Sequence, residues 1–306
     1  MRLLTACIAA FAIYSSVIAD ESSTAPTYQL RYRFKTGQFV HLEVESSTSM
    51  TIVAKEFKQT TAETRTSKKH FRVVSVASDG SAVLEPTIDH VAISIQNDDD
   101  KPIKFDSATD DTPPQAFRSV QESIGKPLVR LRFKSTGAAT EVLPVSGTDR
   151  KVSTDPAQHA FLTVLPEKSI AVGESWNDDF TVPVSVRLTE NRSAKKDVAI
   201  RRRYTLKQIQ DDIATIEFRI YPMDLIREPE LQAQLLQRSL TGELKFDIKN
   251  GMQIELKSSG SGQVRGAIGP DSSLATSAKN HERLIQPEKP AAGPELPTAA
   301  VSVLEK

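Results

Sequence analysis

The stretch Phe180-Thr181-Val182-Pro183-Val184-Ser185-Val186-Arg187-Leu188 decides the fold class. Every second side chain is apolar, and the intervening Thr181, Ser185 and Arg187 are polar. A period of two over this length predicts a long strand with one buried face. Pro183 falls on the other face and lacks a ladder donor, which predicts an edge strand or a bulge there. Immediately upstream, Ile170-Ala171-Val172-Gly173-Glu174-Ser175-Trp176 supplies a glycine turn that opens the strand.

The same order of signals occurs earlier in the chain. Phe34-Lys35-Thr36-Gly37-Gln38-Phe39 precedes a first alternating run. Phe71 to Val76 then turns at Asp79-Gly80 into Ala82 to Ile88, just as Tyr204 to Ile209 turns at Asp211-Asp212 into Ala214 to Ile220. Asp-Gly between apolar runs is a strong hairpin signal, because glycine supplies positive φ at little cost; Asp-Asp is a poorer version. Each copy continues with a short helix. One starts at Pro113-Pro114 with Phe117, Val120 and Ile124 on one side and Gly125 at its end; the other starts at Glu228-Pro229 with Leu231, Leu235 and Leu236. Proline at the start and glycine past the end are the expected punctuation. A hairpin follows each helix: Val129, Leu131 and Phe133 before Gly137, and Leu244, Phe246 and Ile248 before Asn250-Gly251.

This pattern predicts a mainly β protein: two related antiparallel β halves forming a sandwich or a curved open sheet, with about three short helices. The predicted layout has a first β repeat over 28–145, a linking helix within 146–166 (Asp155 to Leu162), and a second β repeat over 167–264. Residues 266–306 carry Pro270, Pro287, Pro290, Pro294 and Pro297 with little apolar periodicity, so they are expected to form a disordered tail.

Met1-Arg2 followed by the uncharged run Leu3 to Ala19 predicts a secretory signal peptide over 1–19 and hence an exported protein, periplasmic or extracellular. No later segment approaches spanning length, so no transmembrane span is expected in the mature chain. Basic and acidic side chains balance at 39 each, which argues against a nucleic-acid partner. The one cysteine is Cys7, inside the leader, so disulfides, thiolate metal sites and a cysteine nucleophile are excluded from the mature chain.

Reactive constellations are sparse. His41, His70, His90, His159 and His281 show no metal-ligand spacing along the chain. Gly260, Gly262 and Gly266 have the wrong spacing for a nucleotide loop and are expected in flexible exit chain. Asn97-Asp98-Asp99-Asp100 with Asp106, Asp110 and Asp111 gathers carboxylates, and Asp98, Asp100 and Asp106 are weak candidates for a calcium or other metal site. Without the alternating spacing or glycine of a dedicated calcium loop, a solvated hairpin tip is the favoured expectation. The triplets Lys68-Lys69-His70 and Arg201-Arg202-Arg203 should split between the two faces of a sheet. Trp176 should close a core.

Gly37, Asp79-Gly80, Lys104-Phe105-Asp106-Ser107, Pro113-Pro114 and Leu165-Pro166-Glu167 through Gly173-Glu174-Ser175-Trp176, taken together, carry a resemblance. From Tyr28 to Val264 the chain resembles a family of exported, uncharacterised proteins of planctomycete-type bacteria, a domain of unknown function. The resemblance implies an exported β-rich domain and assigns no catalytic residue and no cofactor. The sparse reactive constellations and the half-buried long strands point to a non-catalytic binding or scaffold protein, its partner an apolar ligand or an envelope protein. The alternatives are an envelope polysaccharide hydrolase using paired carboxylates and a metal-dependent adhesion module at the Asp98–Asp111 loop.

Overall fold

A computed structural model describes residues 25–127, 129–145, 153–189 and 192–286 of the chain. The signal peptide expected over 1–19 and the side chains of Val186 and Leu188 lie outside what is described. In chain order the first half holds β1 (Thr27–Tyr28), β2 (Phe39–Ala54), β3 (Phe57–Val76), β4 (Ala82–Asn97), β5 (Ile103–Asp106), α1 (Arg118–Gln121), β6 (Arg130–Phe133) and β7 (Ala139–Leu143). The second holds β8 (Ile170–Ala171), β9 (Ser175–Thr189), β10 (Arg192–Gln210), β11 (Ile213–Pro222), α2 (Pro229–Leu235), β12 (Thr241–Asp247) and β13 (Met252–Arg265), followed by β14 (Ser272–Ile285).

The protein is mainly β. One antiparallel sheet runs β7-β6-β4-β3-β2-β14-β13-β12-β11-β10-β9, with β5 beside β4, and β1 and β8 form a separate two-stranded ladder. The sheet is open, and β9, which contains Pro183, is an edge strand as the proline predicts. From β7 to β2, and again from β13 to β9, the strands of each half appear in reverse chain order. The opening turns also match: Gly37 N donates to Val73 O at 2.8 Å and Gly173 N to Leu206 O at 2.7 Å.

The sheet is strongly curved. Strands in a sheet lie about 4.8 Å apart, so β6 and β12, six steps apart in the order, would be about 29 Å apart if it were flat. Yet Tyr32 N donates to Ser135 O in the β6–β7 turn, while Arg33 N donates to Gly251 O in the β12–β13 turn. Two neighbouring amides reach both turns only if the sheet bends round them. The concave side is filled by two extended connecting segments, near 30–34 and 161–166. Leu30, Tyr32, Leu162 and Leu165 join Leu131 and Phe133 from one end of the sheet and Tyr204, Leu206, Leu244 and Phe246 from the other in one buried cluster. Tyr32 lies edge-on to Phe246 at 5.3 Å, and Phe161 contacts Phe71 at 5.4 Å and Phe133 at 5.0 Å. Each fully buried Leu, Ile or Phe here contributes about 1.5–3 kcal/mol relative to exposure. A polar chain crosses the same side: Thr163 Oγ1 donates to Gln253 Oε1 (2.8 Å), Gln253 Nε2 to Glu282 Oε1 (3.1 Å), and Lys69 Nζ to Glu282 Oε2 (2.7 Å). Each member has a partner, so burial leaves none of them orphaned.

The helices close the flanks. Phe117, Val120 and Ile124 pack on Val91, Ile93 and Phe105, as their spacing predicts. Leu231 and Leu235 of α2 pack on Val182, Val184, Val198 and Ile200.

Three expectations are corrected. The linking helix is a single 3-10 turn, Pro156–Gln158, capped by the Asp155 carboxylate accepting from Ala157 N. Its downstream residues are drawn out straight because they fill the concavity. The tail does not begin at 266: β14 pairs with β2 from Ser272↔Ala54 to Ile285↔His41, and with β13 from Arg265↔Ser273 to Glu255↔Arg283. Its Ser, Ala and Thr side chains show no apolar alternation, because pairing along both edges holds it more than an apolar face does. Residues 287–306 lie outside the described chain. Gly260 and Gly262 belong to β13 instead of an exit segment. A Cβ at Gly260 would meet Ser239 O at 2.4 Å, and one at Gly262 would meet Leu236 Cδ2 at 2.5 Å. Glycine lets the chain after α2 lie directly on the strand.

Candidate functional site

The inner faces of β9, β10, β11 and β13 in the second half leave one apolar cleft unfilled. Phe161 and Leu162 wall one side, Gln237, Arg238 and Leu240 the other, and Tyr204, Phe218, Ile220 and Leu256 form the floor. Its volume is about 350 Å³, within the usual range for small-molecule sites. A wider and more polar hollow of about 560 Å³ adjoins it and shares Ile220 and Leu240.

Strand alternation sets the cleft's chemistry. Arg202, Tyr204 and Leu206 point inward from β10, while Arg201 and Arg203 point outward, so the arginine triplet splits as expected. The Arg202 guanidinium lies 4.3 Å over the Phe180 ring and 3.4 Å from Asp178. Burial pushes the Asp178 carboxyl up, against the lowering pull of Arg202. The neighbouring Asp179 points to the other face, where hydrogen bonds from Arg201 hold its carboxyl below the usual range. These two adjacent carboxylates therefore do not face each other across the cleft. Tyr204 stacks on Trp176 at 5.2 Å, and burial pushes its hydroxyl up to about 12, so the phenol stays neutral at physiological pH. Trp176 donates from Nε1 to Val164 O at 2.8 Å and packs against the main core, the role expected of it.

The acidic loop is spread out. Asp98 lies at the β4–β5 turn, where its Oδ1 accepts from Thr60 N at 2.6 Å. Asp100 N donates to Asn97 O within that tip. Asp106 lies on β5, where the Ala108 amide and His90 hold its carboxyl low; His90 Nε2 is 2.7 Å from Oδ1. Among the described residues, the group of three ligand-type side chains that converges is His41, His70 and Asp89, on the opposite side of the sheet from the cleft. Chain spacing hides it, because the three come from three strands.

No family model and no curated protein matches this chain. Among solved structures it is similar to DynF from the dynemicin biosynthesis pathway of Micromonospora chersina, at 7% identity and TM-score 0.21, over 91% of this chain and 94% of that one. It is also similar to Pseudomonas aeruginosa OpdQ, at 8% identity and TM-score 0.19, over 81% of this chain and 99% of that one. Overlap at scores this low carries no inference about fold, ligand or activity.

Proposed function

We propose that this chain is an exported, non-catalytic binding protein whose second half holds an apolar molecule. The observation that carries this reading is the cleft: aromatic and aliphatic side chains converge on an unfilled space beside the packed main core. Arg202 and Arg238 at its wall suit a ligand with an anionic end, although Asp178 takes up part of the Arg202 charge. Export rests on the Leu3 to Ala19 run, and the resemblance to exported planctomycete-type proteins agrees with it. The matched turns and common strand order support two copies of one module. In this reading the copies press their apolar sides together around the two connecting segments, and the second has kept a gap.

Native mass spectrometry on protein purified from its own envelope tests the proposal, together with titration of a fluorescent fatty-acid analogue. A lipid-sized adduct, or saturable binding weakened at least about tenfold by Ile220→Trp, is the expected result; a bulky side chain there fills the cleft. Protein that carries no adduct and does not bind the analogue would be a scaffold.

A further inference from the structure

The outer face of the first half brings together residues from three strands. His41 on β2 and His70 on β3 are direct cross-strand partners, with ring centroids 5.4 Å apart. Asp89 arrives from β4 through a break in register. Lys69 pairs with Ile88 and Lys68 with His90, which leaves Asp89 as the extra residue of a β-bulge. Counted from Thr87, the partner of His70, strand alternation places Asp89 on the same face, and the bulge bends the strand locally at that point. Here the carboxylate reaches His70, with Oδ1 and Oδ2 at 2.7 and 2.8 Å from Nδ1. One ligand atom from each of the three residues lies within 4.8 Å of the other two. Phe39 flanks both rings, 6.4 Å from His41 and 5.5 Å from His70.

The fold does not itself demand two imidazoles here. Counting four residues on from Gly37 gives His41, and three back from its partner Val73 gives His70. The same steps from Gly173 and Leu206 give Asn177 and Arg203, which are also cross-strand partners. That place in the second half lacks the donor set altogether. The nearby charges on this face are engaged elsewhere: Glu43 with Arg283, and Arg72 with Glu85.

We propose that His41, His70 and Asp89 form a binding site for a divalent transition-metal ion of the zinc type. Two neutral imidazoles and a carboxylate are the borderline donor set such ions prefer over calcium or magnesium. Three protein ligands on a partly exposed face leave a coordination position for solvent or for a donor from a partner. The site is independent of the cleft, and either proposal stands if the other fails.

The test is calorimetric titration of zinc chloride into the full chain, first stripped with EDTA and held in a weakly coordinating buffer. The expected result is one ion per chain, with affinity falling at least about tenfold in His41→Ala and in His70→Ala, and unchanged in the control His281→Ala. Thermal melting establishes that each variant is folded. On the unaltered chain, cobalt(II) should give the intense visible bands of four- or five-coordination, a readout that needs no variant. The proposal is overturned by absence of stoichiometric zinc binding, by zinc binding that both histidine variants retain, or by a cobalt spectrum matching the hydrated ion.

Discussion

Glu255 on β13 holds its Oε1 2.8 Å from Nε2 of His281 on β14, across the junction between the strands of the two halves. The same carboxylate takes Lys257 Nζ at 2.7 Å and Lys245 Nζ at 3.0 Å. Hydrogen bonds from Lys257, then Lys245 and His281, hold its pKa at about 2, against burial and against the ordinary value of 4.5.

Glu255 should therefore contribute to the acid dependence of stability. Below pH 4.5 the unfolded chain takes up a proton at this position that the folded chain refuses. Its contribution is complete above that value and drains away as pH falls toward 2. Urea midpoints measured across this interval should fall less steeply for Glu255→Gln than for the parent. Parallel slopes would show that the carboxylate is not held low in the folded state.

The β10–β11 turn carries avoidable strain. Asp211 and Asp212 have φ of 50° and 62°, in the left-handed region that disfavours a side chain. Asp212→Gly is expected to stabilise the protein by about 1 kcal/mol, the relieved strain exceeding the added freedom of the unfolded chain. Chemical denaturation of the two proteins measures this directly. A destabilised glycine variant would mean that the aspartate makes a compensating interaction.

β14 should be indispensable. A chain ending at Gly269 would leave the long edges of β2 and β13 unpaired and remove Glu282 from the Lys69–Gln253 network. Exposed edges of that length template association. The truncated protein should lose its cooperative melting transition and elute as aggregate in size exclusion. A monomer melting at the parent temperature would show that the two halves hold together without the strand.

Much of the architecture is visible in short-range chemistry. Alternation in Phe180 to Val184, proline at an edge, and the Phe117–Val120–Ile124 stripe each express a local rule that the folded chain obeys. β14 is illegible for a physical reason: its small polar side chains satisfy no apolar pattern, and its stability comes from two flanking ladders, one with the preceding β13 and one with β2, far away in the chain. Asp89 was nearly legible. The apolar phase of β4 shifts from Ala82, Leu84 and Ile88 to Val91, Ile93 and Ile95, and a one-residue slip of phase in a strand is the mark of a bulge.

By itself, the order of residues determined the β class, the long half-buried strands, the paired hairpins and the places where turns fall, since these depend on interactions between near neighbours. Only the tertiary structure decided that the sheet bends round residues 30–34 and 161–166, that a cleft stays open beside Phe161, and that His41, His70 and Asp89 meet. Register and curvature are settled by pairing and packing between segments far apart in the chain, and no local pattern encodes those distances.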